Sequence, residues 1–172
     1  DVASWLKKHP DVKLAFQPGT FQIEAGVERL KELYARTEVL VLNREEAVIV
    51  TGGDYHDIHG MLNTLHGYGC KIVVITDGPD GAYASDGENR FKMPNYPDPA
   101  PPFERTGAGD SFASCFVAAL AKGSTLEGAL LWAPINSMSV VQHVGAQEGL
   151  LTVKEIAYYL RTAPEWYHPE RF

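Results

Sequence analysis

Residues 105–115 read RTGAGDSFASC, and this stretch decides how the chain is interpreted. Its two glycines and the alanine between them stand before a strongly apolar run, which predicts a helix over 110–122. Small residues let backbone N–H groups approach an anion closely, and a helix N-terminus favours negative charge. Asp110 is expected in the first turn of this helix, where a carboxylate can accept a proton from an attacking hydroxyl. The combination suits phosphoryl transfer, in which positioning and charge stabilisation do most of the catalysis.

The same stretch has a plainer interpretation. A glycine turn followed by an aspartate can stabilise the start of a helix and do nothing more. The residues alone leave both interpretations open. A Walker A loop is excluded, because no Lys-Ser or Lys-Thr follows the glycines, and the six-residue dinucleotide fingerprint is also absent.

Strand patterns alternate with helix patterns on both sides of this stretch. Compact apolar runs predict buried parallel strands, and turn residues separate them from segments with helical spacing. The predicted strands cover 12–17, 38–42, 71–76, 82–86 and 90–94, the last two antiparallel and joined by Gly87-Glu88-Asn89. The predicted helices upstream cover 2–8, 24–36, 44–50 and 55–67, the last capped by Asp54. Those downstream cover 125–132, capped by Ser124, then 135–143, with a kink or a break at Pro134 between them. The last covers 153–162, where Thr152 and Glu155 form a capping box.

This order of elements is typical of an α/β protein. We therefore expect a three-layer α/β/α fold with a mainly parallel sheet and an antiparallel hairpin at one side. Residues 1–172 contain no internal repeat and no long linker, so one compact nucleotide-binding and catalytic unit is expected.

The composition is ordinary for a globular protein with an acidic surface. The formal net charge is −7 and no Lys/Arg cluster is visible, which argues against a nucleic-acid partner. No stretch approaches the roughly 18 apolar residues of a membrane span, and the first residues lack the apolar core of a signal peptide. Cys70 and Cys115 lie in apolar segments, which favours buried free thiols and a cytoplasmic location.

The segment TGAGDSFASCFVAAL, residues 106–120, resembles the signature of the ribokinase-like (PfkB) family of carbohydrate and nucleoside kinases. The resemblance implies that Gly107, Ala108 and Gly109 form an anion hole over the transferred phosphate. It implies that Asp110 takes the proton from the substrate hydroxyl and that Thr106 lies beside the nucleotide. The expected reaction is ATP-dependent phosphorylation of a sugar or nucleoside hydroxyl.

A second motif, Asn43-Arg44-Glu45-Glu46, directly follows the predicted strand EVLVL. On the residues alone, Asn43 as N-cap and Glu46 as its partner three positions later are a good capping pair. The position also suits ligands, which bind at the carboxyl ends of strands in open α/β sheets. The resemblance implies that Asn43 and Glu46 help to place Mg²⁺ and the phosphates, so we expect both roles together.

A third motif, Thr76-Asp77-Gly78-Pro79-Asp80-Gly81, follows the predicted strand KIVVIT. The residues alone are compatible with a simple turn. The resemblance implies that Thr76, Gly78 and Gly81 line the nucleotide phosphates. Asp77 would bring negative charge near phosphate, so we expect its side chain to point away.

Two further resemblances concern the end of the chain. Asn136 matches a position that often faces the adenine, although an ordinary polar helix residue is an equally open interpretation. The loop over 145–149 resembles one that helps to bind a monovalent cation such as K⁺. Many family members have an aspartate where this chain has Glu104, so activation by K⁺ is left open, and Arg105 can add positive charge near the phosphates or lie in solvent.

Another cluster has the residue types of a metal site: Asp54, His56, Asp57 and His59. The two histidines are three positions apart and can share a helix face. No further ligand pair supports a site, so a surface helix is the preferred interpretation.

The resemblance covers only the later part of the family's fold. An earlier substrate-binding segment and a β-sheet lid have no match here, so we expect this part alone to lack activity. An open sheet edge is expected to need the missing N-terminal half or a second copy of the chain. The alternative function is a non-catalytic nucleotide-binding or scaffold module, while an NAD-dependent oxidoreductase is disfavoured by the missing glycine fingerprint.

Overall fold

The computed structural model describes residues 2–172, which form a mixed α/β fold. Helices and strands alternate up to the third strand, and helices dominate the last third of the chain. The strands are β1 (Leu14–Phe16), β2 (Thr37–Asn43), β3 (Ile72–Thr76), β4 (Ala82–Ser85), β5 (Arg90–Met93) and β6 (Glu170–Arg171). The helices are α1 (Val2–Lys8), α2 (Thr20–Ala25), α3 (Val27–Tyr34), α4 (Arg44–Thr51), α5 (Ile58–Gly67), α6 (Ala108–Ala121), α7 (Leu126–Val140) and α8 (Val153–Arg161).

The six strands are hydrogen-bonded into one sheet in the order β1 to β6. The pairs β1/β2 and β2/β3 are parallel, whereas β5/β6 is antiparallel. The sheet is therefore parallel in its first half, as the buried apolar runs predicted. Within β2 and β3 the register runs from Val39 opposite Ile72 to Asn43 opposite Thr76, so the carboxyl ends of these strands are level.

The chain divides into two compact units. The first contains the residues up to Asp77 together with Tyr83–Arg90, and the second contains Gly78–Ala82 and Phe91–Phe172. The expectation of one nucleotide-binding and catalytic unit over 1–172 stays a prediction, and residue 1 lies outside the described residues.

The core of the first unit lies between the parallel strands and their helices. Alternate strand residues pack against the apolar face of α5, and each fully buried side chain contributes roughly 1.5–3 kcal/mol. These side chains include Leu40, Leu42, Val73 and Ile75 from the strands and Met61, Leu62 and Leu65 from α5.

The core of the second unit is formed by α6 and α7. Phe112 and Phe116 of α6 are buried with nearly parallel rings, and α7 buries residues all around its axis. Pro134 is expected to kink this region or to split it into two helices, and the structure excludes the split, because α7 continues through Pro134. A proline inside a helix costs about 3 kcal/mol. Full burial of Leu130, Ala133 and Ile135 on the same helix offsets that cost.

Several other boundaries also differ from the predictions. The expected helix over 24–36 is two helices, because Gly26 has a φ of 81°, which a right-handed helix does not permit. Helix α5 is capped by Asp57 rather than Asp54, whose Oδ1 instead accepts from the His56 amide. Thr125, not Ser124, caps α7. Asp54 and Asp57 have the same capping propensity, and Thr125 caps α7 although serine is the somewhat better N-cap residue, so local propensity does not choose the cap in either case.

None of the helices that the structure describes combines the length and the apolar character needed to cross a membrane.

Candidate functional site

A reciprocal capping box forms where β2 ends and α4 begins. Asn43 Oδ1 accepts from the Glu46 amide at 2.8 Å, and Glu46 Oε2 accepts from the Asn43 amide at 2.9 Å. The structural role expected for this pair is therefore confirmed. The cap holds both side chains at the carboxyl end of a parallel strand, where α/β sheets bind ligands.

Thr76 lies beside this cap because β2 and β3 are parallel and in register. It is the register partner of Asn43, and its Oγ1 is 3.5 Å from the Leu42 carbonyl oxygen. The first unit thus brings together three predicted site residues from two separate segments of the chain: Asn43, Glu46 and Thr76.

One residue beyond these register partners, Arg44 and Asp77 form an ion pair. The two side chains are only 12% and 5% exposed. Arg44 Nε also donates to the Tyr55 carbonyl at 2.8 Å, and the guanidinium carbon lies 4.3 Å from the centroid of the Tyr55 ring. This pair is not among the sequence-based predictions, although extending the parallel register of β2 and β3 by one residue places positions 44 and 77 side by side.

The turn after β3 belongs largely to the second unit and depends on glycine at two positions. Gly78 and Gly81 have φ values of 50° and 93°. A Cβ on Gly81 would lie 2.1 Å from the Met93 carbonyl oxygen, so only glycine fits. Asn95 Nδ2 donates to the Gly78 carbonyl at 2.7 Å and fixes the turn.

Helix α6 starts at Ala108, two residues before the predicted start at 110, so Gly109 lies inside the helix rather than before it. Its N-cap is Gly107, in the left-handed conformation, and Ser111 donates its amide to the Gly107 carbonyl at 2.8 Å. Asp110 lies in the first turn and is exposed, and Gly109 is exposed beside it. The Ala108 amide donates to the Arg105 carbonyl at 3.2 Å in this structure. The first amides of a helix lack intrahelical acceptors, so this end can serve an anion.

The residues just before α6 are tied to the loop over 145–149. Glu104 Oε1 accepts from the Gly145 amide. Gly107 packs on the same loop, because a Cβ on it would lie 2.6 Å from Ala146 Cα. Thr106 and Arg105 are exposed. A carboxylate on one segment therefore holds the loop beside the helix start.

Asn136 is buried in the second unit, with 4% of its surface exposed. Its Nδ2 donates to the Ser111 carbonyl, and its Oδ1 accepts from the Leu151 amide, both at 3.0 Å. The amide therefore joins α7 to the first turns of α6 and to the segment before α8. The adenine contact expected for Asn136 stays a prediction.

The cluster from Asp54 to His59 is occupied by helix capping and surface contacts. Asp57 Oδ1 caps α5 through the Gly60 amide at 2.8 Å, and His59 Nδ1 is 2.7 Å from an Arg90 nitrogen. Over residues 2–172, no three His, Cys, Asp or Glu side chains converge on one point that a metal ion could occupy. The surface-helix interpretation of this cluster therefore remains the preferred one.

Comparison with known proteins assigns the chain to a family. A model of the pfkB family of carbohydrate kinases matches residues 12–153. A cytidine kinase from Thermococcus kodakarensis is 38% identical over 99 residues, which are 57% of this chain and 34% of that protein.

Solved structures agree on the fold. The ribokinase of Arabidopsis thaliana, complexed with ribose and ATP, has a TM-score of 0.80 and 24% identity over 93% of this chain and 51% of that chain. A protein from E. coli assigned as a ribokinase II, in complex with ATP and Mg²⁺, also has a TM-score of 0.80, with 20% identity over 93% of this chain and 52% of that chain. The chain thus spans about a third to a half of the length of these proteins.

Proposed function

Because this chain belongs to the pfkB family of carbohydrate kinases, we propose that the complete protein transfers the γ-phosphoryl group of ATP to a hydroxyl of a sugar or nucleoside. The expected resemblance to this family is confirmed by the match over residues 12–153. The similar proteins include a cytidine kinase and a ribokinase complexed with ribose and ATP. These similar proteins support a sugar and a nucleoside equally as the acceptor.

The observation that carries the proposal is the geometry of the N-terminus of α6. Gly107 caps the helix in a conformation and a space that only glycine fits, and Asp110 stands exposed in the first turn. A carboxylate and a set of helix-start amides are thereby held on one rigid element. General base catalysis and charge stabilisation require this arrangement.

In the proposed reaction, Asp110 accepts the proton of the acceptor hydroxyl while the oxygen of that hydroxyl forms a bond to the γ-phosphorus. The bond between that phosphorus and the oxygen bridging it to the β-phosphate breaks, and ADP leaves with the negative charge. The amides of Gly107 and Gly109 face the transferred group and stabilise its charge. The Ala108 amide joins them only if it shares its hydrogen bond to Arg105.

The phosphates of ATP are proposed to lie along the strand ends, near Thr76, Gly78 and Gly81. Asn43 and Glu46 offer oxygen atoms of the kind that Mg²⁺ prefers, and few protein ligands suffice because this ion keeps several waters and substrate phosphates. When bound, Mg²⁺ would supply charge neutralisation at the β- and γ-phosphates. The loop over 145–149 resembles one that helps to bind a monovalent cation, and activation by K⁺ stays open because Glu104 stands where many family members have an aspartate.

The test replaces Asp110 by asparagine in the complete protein. We expect turnover to fall by about 10²–10⁴-fold with little change in the affinity for MgATP, because the side-chain amide of the variant cannot take the proton. Glu127→Gln is the matched control, since Glu127 is an exposed acid in the first turn of α7. Its turnover should equal that of the wild type.

Less than a tenfold loss in Asp110→Asn would contradict the role of general base. Turnover should be measured with cytidine, ribose and related sugars, and calorimetry should follow MgATP binding. MgATP binding without turnover on any acceptor would instead favour the non-catalytic nucleotide-binding module. An absence of MgATP binding would refute both.

A further inference from the structure

Arg44 is held more firmly than a surface arginine. Its guanidinium pairs with Asp77, donates to the Tyr55 carbonyl, and stacks 4.3 Å from the Tyr55 ring centroid and 6.0 Å from that of Tyr83. Only 12% of its side chain is exposed. Ordering a flexible arginine side chain costs considerable entropy. The contacts that the fold supplies to the guanidinium must offset this cost.

Asp77, the partner of Arg44, lies where its negative charge can affect the binding of phosphate. Asp77 directly follows Thr76 and directly precedes Gly78, the residues proposed to line the phosphates of ATP. Its side chain is 5% exposed, so water screens its charge weakly. An unpaired carboxylate here would repel the triphosphate.

The two residues also connect the two strand ends of the first unit. Arg44 is the first residue of α4, directly after the N-cap Asn43, whose register partner is Thr76. The ion pair therefore links the capping box at the end of β2 to the residue that follows β3. Movement of either segment would break a buried charge pair, which is strongly destabilising.

We propose that Arg44 is a positioning residue that neutralises Asp77 and so keeps the phosphate site at the ends of β2 and β3 free of unpaired negative charge. This inference rests on the proposed function. It explains how a phosphate-binding turn accommodates an aspartate between Thr76 and Gly78.

The test uses three variants of the complete protein: Arg44→Met, Asp77→Asn and the double variant. Arg44→Met leaves the carboxylate unpaired, and we expect the Kd and KM for MgATP to rise at least about tenfold, while kcat at saturating MgATP stays within about threefold. Asp77→Asn removes the repelling charge and should bind MgATP at least as tightly as the wild type. The double variant should return the Kd to within about threefold of the wild type.

Lys13→Met is the matched control. Lys13 is also a cation in an ion pair of the first unit, with Glu38 at 3.1 Å, but it lies before β1, at the opposite end of the strands. Its loss should leave the Kd for MgATP unchanged.

Rescue by the double variant separates charge from mere packing, because a purely structural role predicts that the double variant binds as weakly as Arg44→Met or more weakly. That result would overturn the inference, as would weaker binding by Asp77→Asn. If Arg44→Met does not fold, the Kd values of the Asp77→Asn and double variants for MgATP still test the inference. A wild type that neither binds MgATP nor phosphorylates an acceptor would refute the proposed function itself, whereas an active wild type with the wrong variant pattern refutes only this inference.

Discussion

Gly107 and Ala146 are in backbone contact that leaves no room for a side chain. A Cβ on Gly107 would lie 2.6 Å from Cα and 2.7 Å from Cβ of Ala146. Gly107 also has a φ of 80°, so glycine is required twice, once by conformation and once by space. The contact joins the start of α6 to the loop over 145–149.

Gly107→Ala is therefore expected to destabilise the protein and to displace the start of α6. The left-handed conformation costs about 1–2 kcal/mol for a residue with a Cβ, and the clash with Ala146 adds to it. Because Asp110 lies within the next turn, turnover should fall as well. Thermal unfolding and kcat measured on the complete protein check both effects.

Gly123→Ala measures the cost of the left-handed conformation without the cost of a steric clash. Gly123 has a φ of 89°, but a Cβ there would meet no atom within 4 Å. This control should lose about 1–2 kcal/mol through conformation alone and keep its turnover. Equal losses of stability in the two variants would show that the contact with Ala146 contributes nothing.

Replacement of Asn136 by leucine distinguishes a structural amide from a nucleotide contact. The change leaves the Leu151 amide without its acceptor. It also removes one donor to the Ser111 carbonyl, which still accepts from Ser114 Oγ at 3.2 Å. A buried amide left unpaired costs about 1–3 kcal/mol. We expect a lower Tm, measured by calorimetry without nucleotide.

Ser137→Ala is the neighbouring comparison, since its hydroxyl donates to the Ala108 carbonyl at 3.0 Å, and Ser111 Oγ donates to the same oxygen. It should cost less than Asn136→Leu. An unchanged Tm in Asn136→Leu, together with weakened MgATP binding, would favour the adenine contact instead.

The two cysteines are expected to be inert to thiol reagents in the folded protein. Burial raises the pKa of Cys70 to about 12 and that of Cys115 to about 11, because the thiolate is poorly solvated there. At pH 8, an Ellman-type reagent should label neither thiol until denaturant is added. Ser114→Cys provides the control, because position 114 is exposed on the same helix as Cys115 and should label at once.

The same shifts predict a loss of stability in alkali. In the folded protein these thiols keep their protons above their ordinary pKa of 9.0, whereas the unfolded chain releases them there. The unfolded state then binds fewer protons, so the free energy of unfolding falls as pH rises from about 9 towards 11 and above. Cys115→Ala should have a shallower fall than the wild type, and an identical slope would contradict the assignment.

Local patterns predicted much of the fold and some of the site contacts. The apolar runs of β2 and β3 and the capping boxes at Asn43 and Thr152 depend on residues at most a few positions apart. Such contacts can be identified from spacing alone. Where neighbours of equal propensity competed, as Asp54 did with Asp57, spacing could not choose between them, because the rest of the fold decides where the helix starts.

Helix α7 shows more clearly what local sequence patterns cannot predict. Pro134 carries a strong local signal against a continuous helix. The structure overrides it, because Leu130, Ala133 and Ile135 are fully buried on the same helix. Burial on several sides depends on which elements surround the helix, and that information lies in distant parts of the chain.

The sequence by itself determined the α/β class, the family, the start of α6 at the glycines and the place of Asp110 in its first turn. These follow from short runs of residues whose backbone preferences and hydrogen bonds are local. Only the tertiary structure decided that Arg44 pairs with Asp77 and that Gly107 lies against Ala146. Both relationships join residues far apart in the chain, and strand register and close packing bring them together. No spacing along the chain encodes those contacts directly.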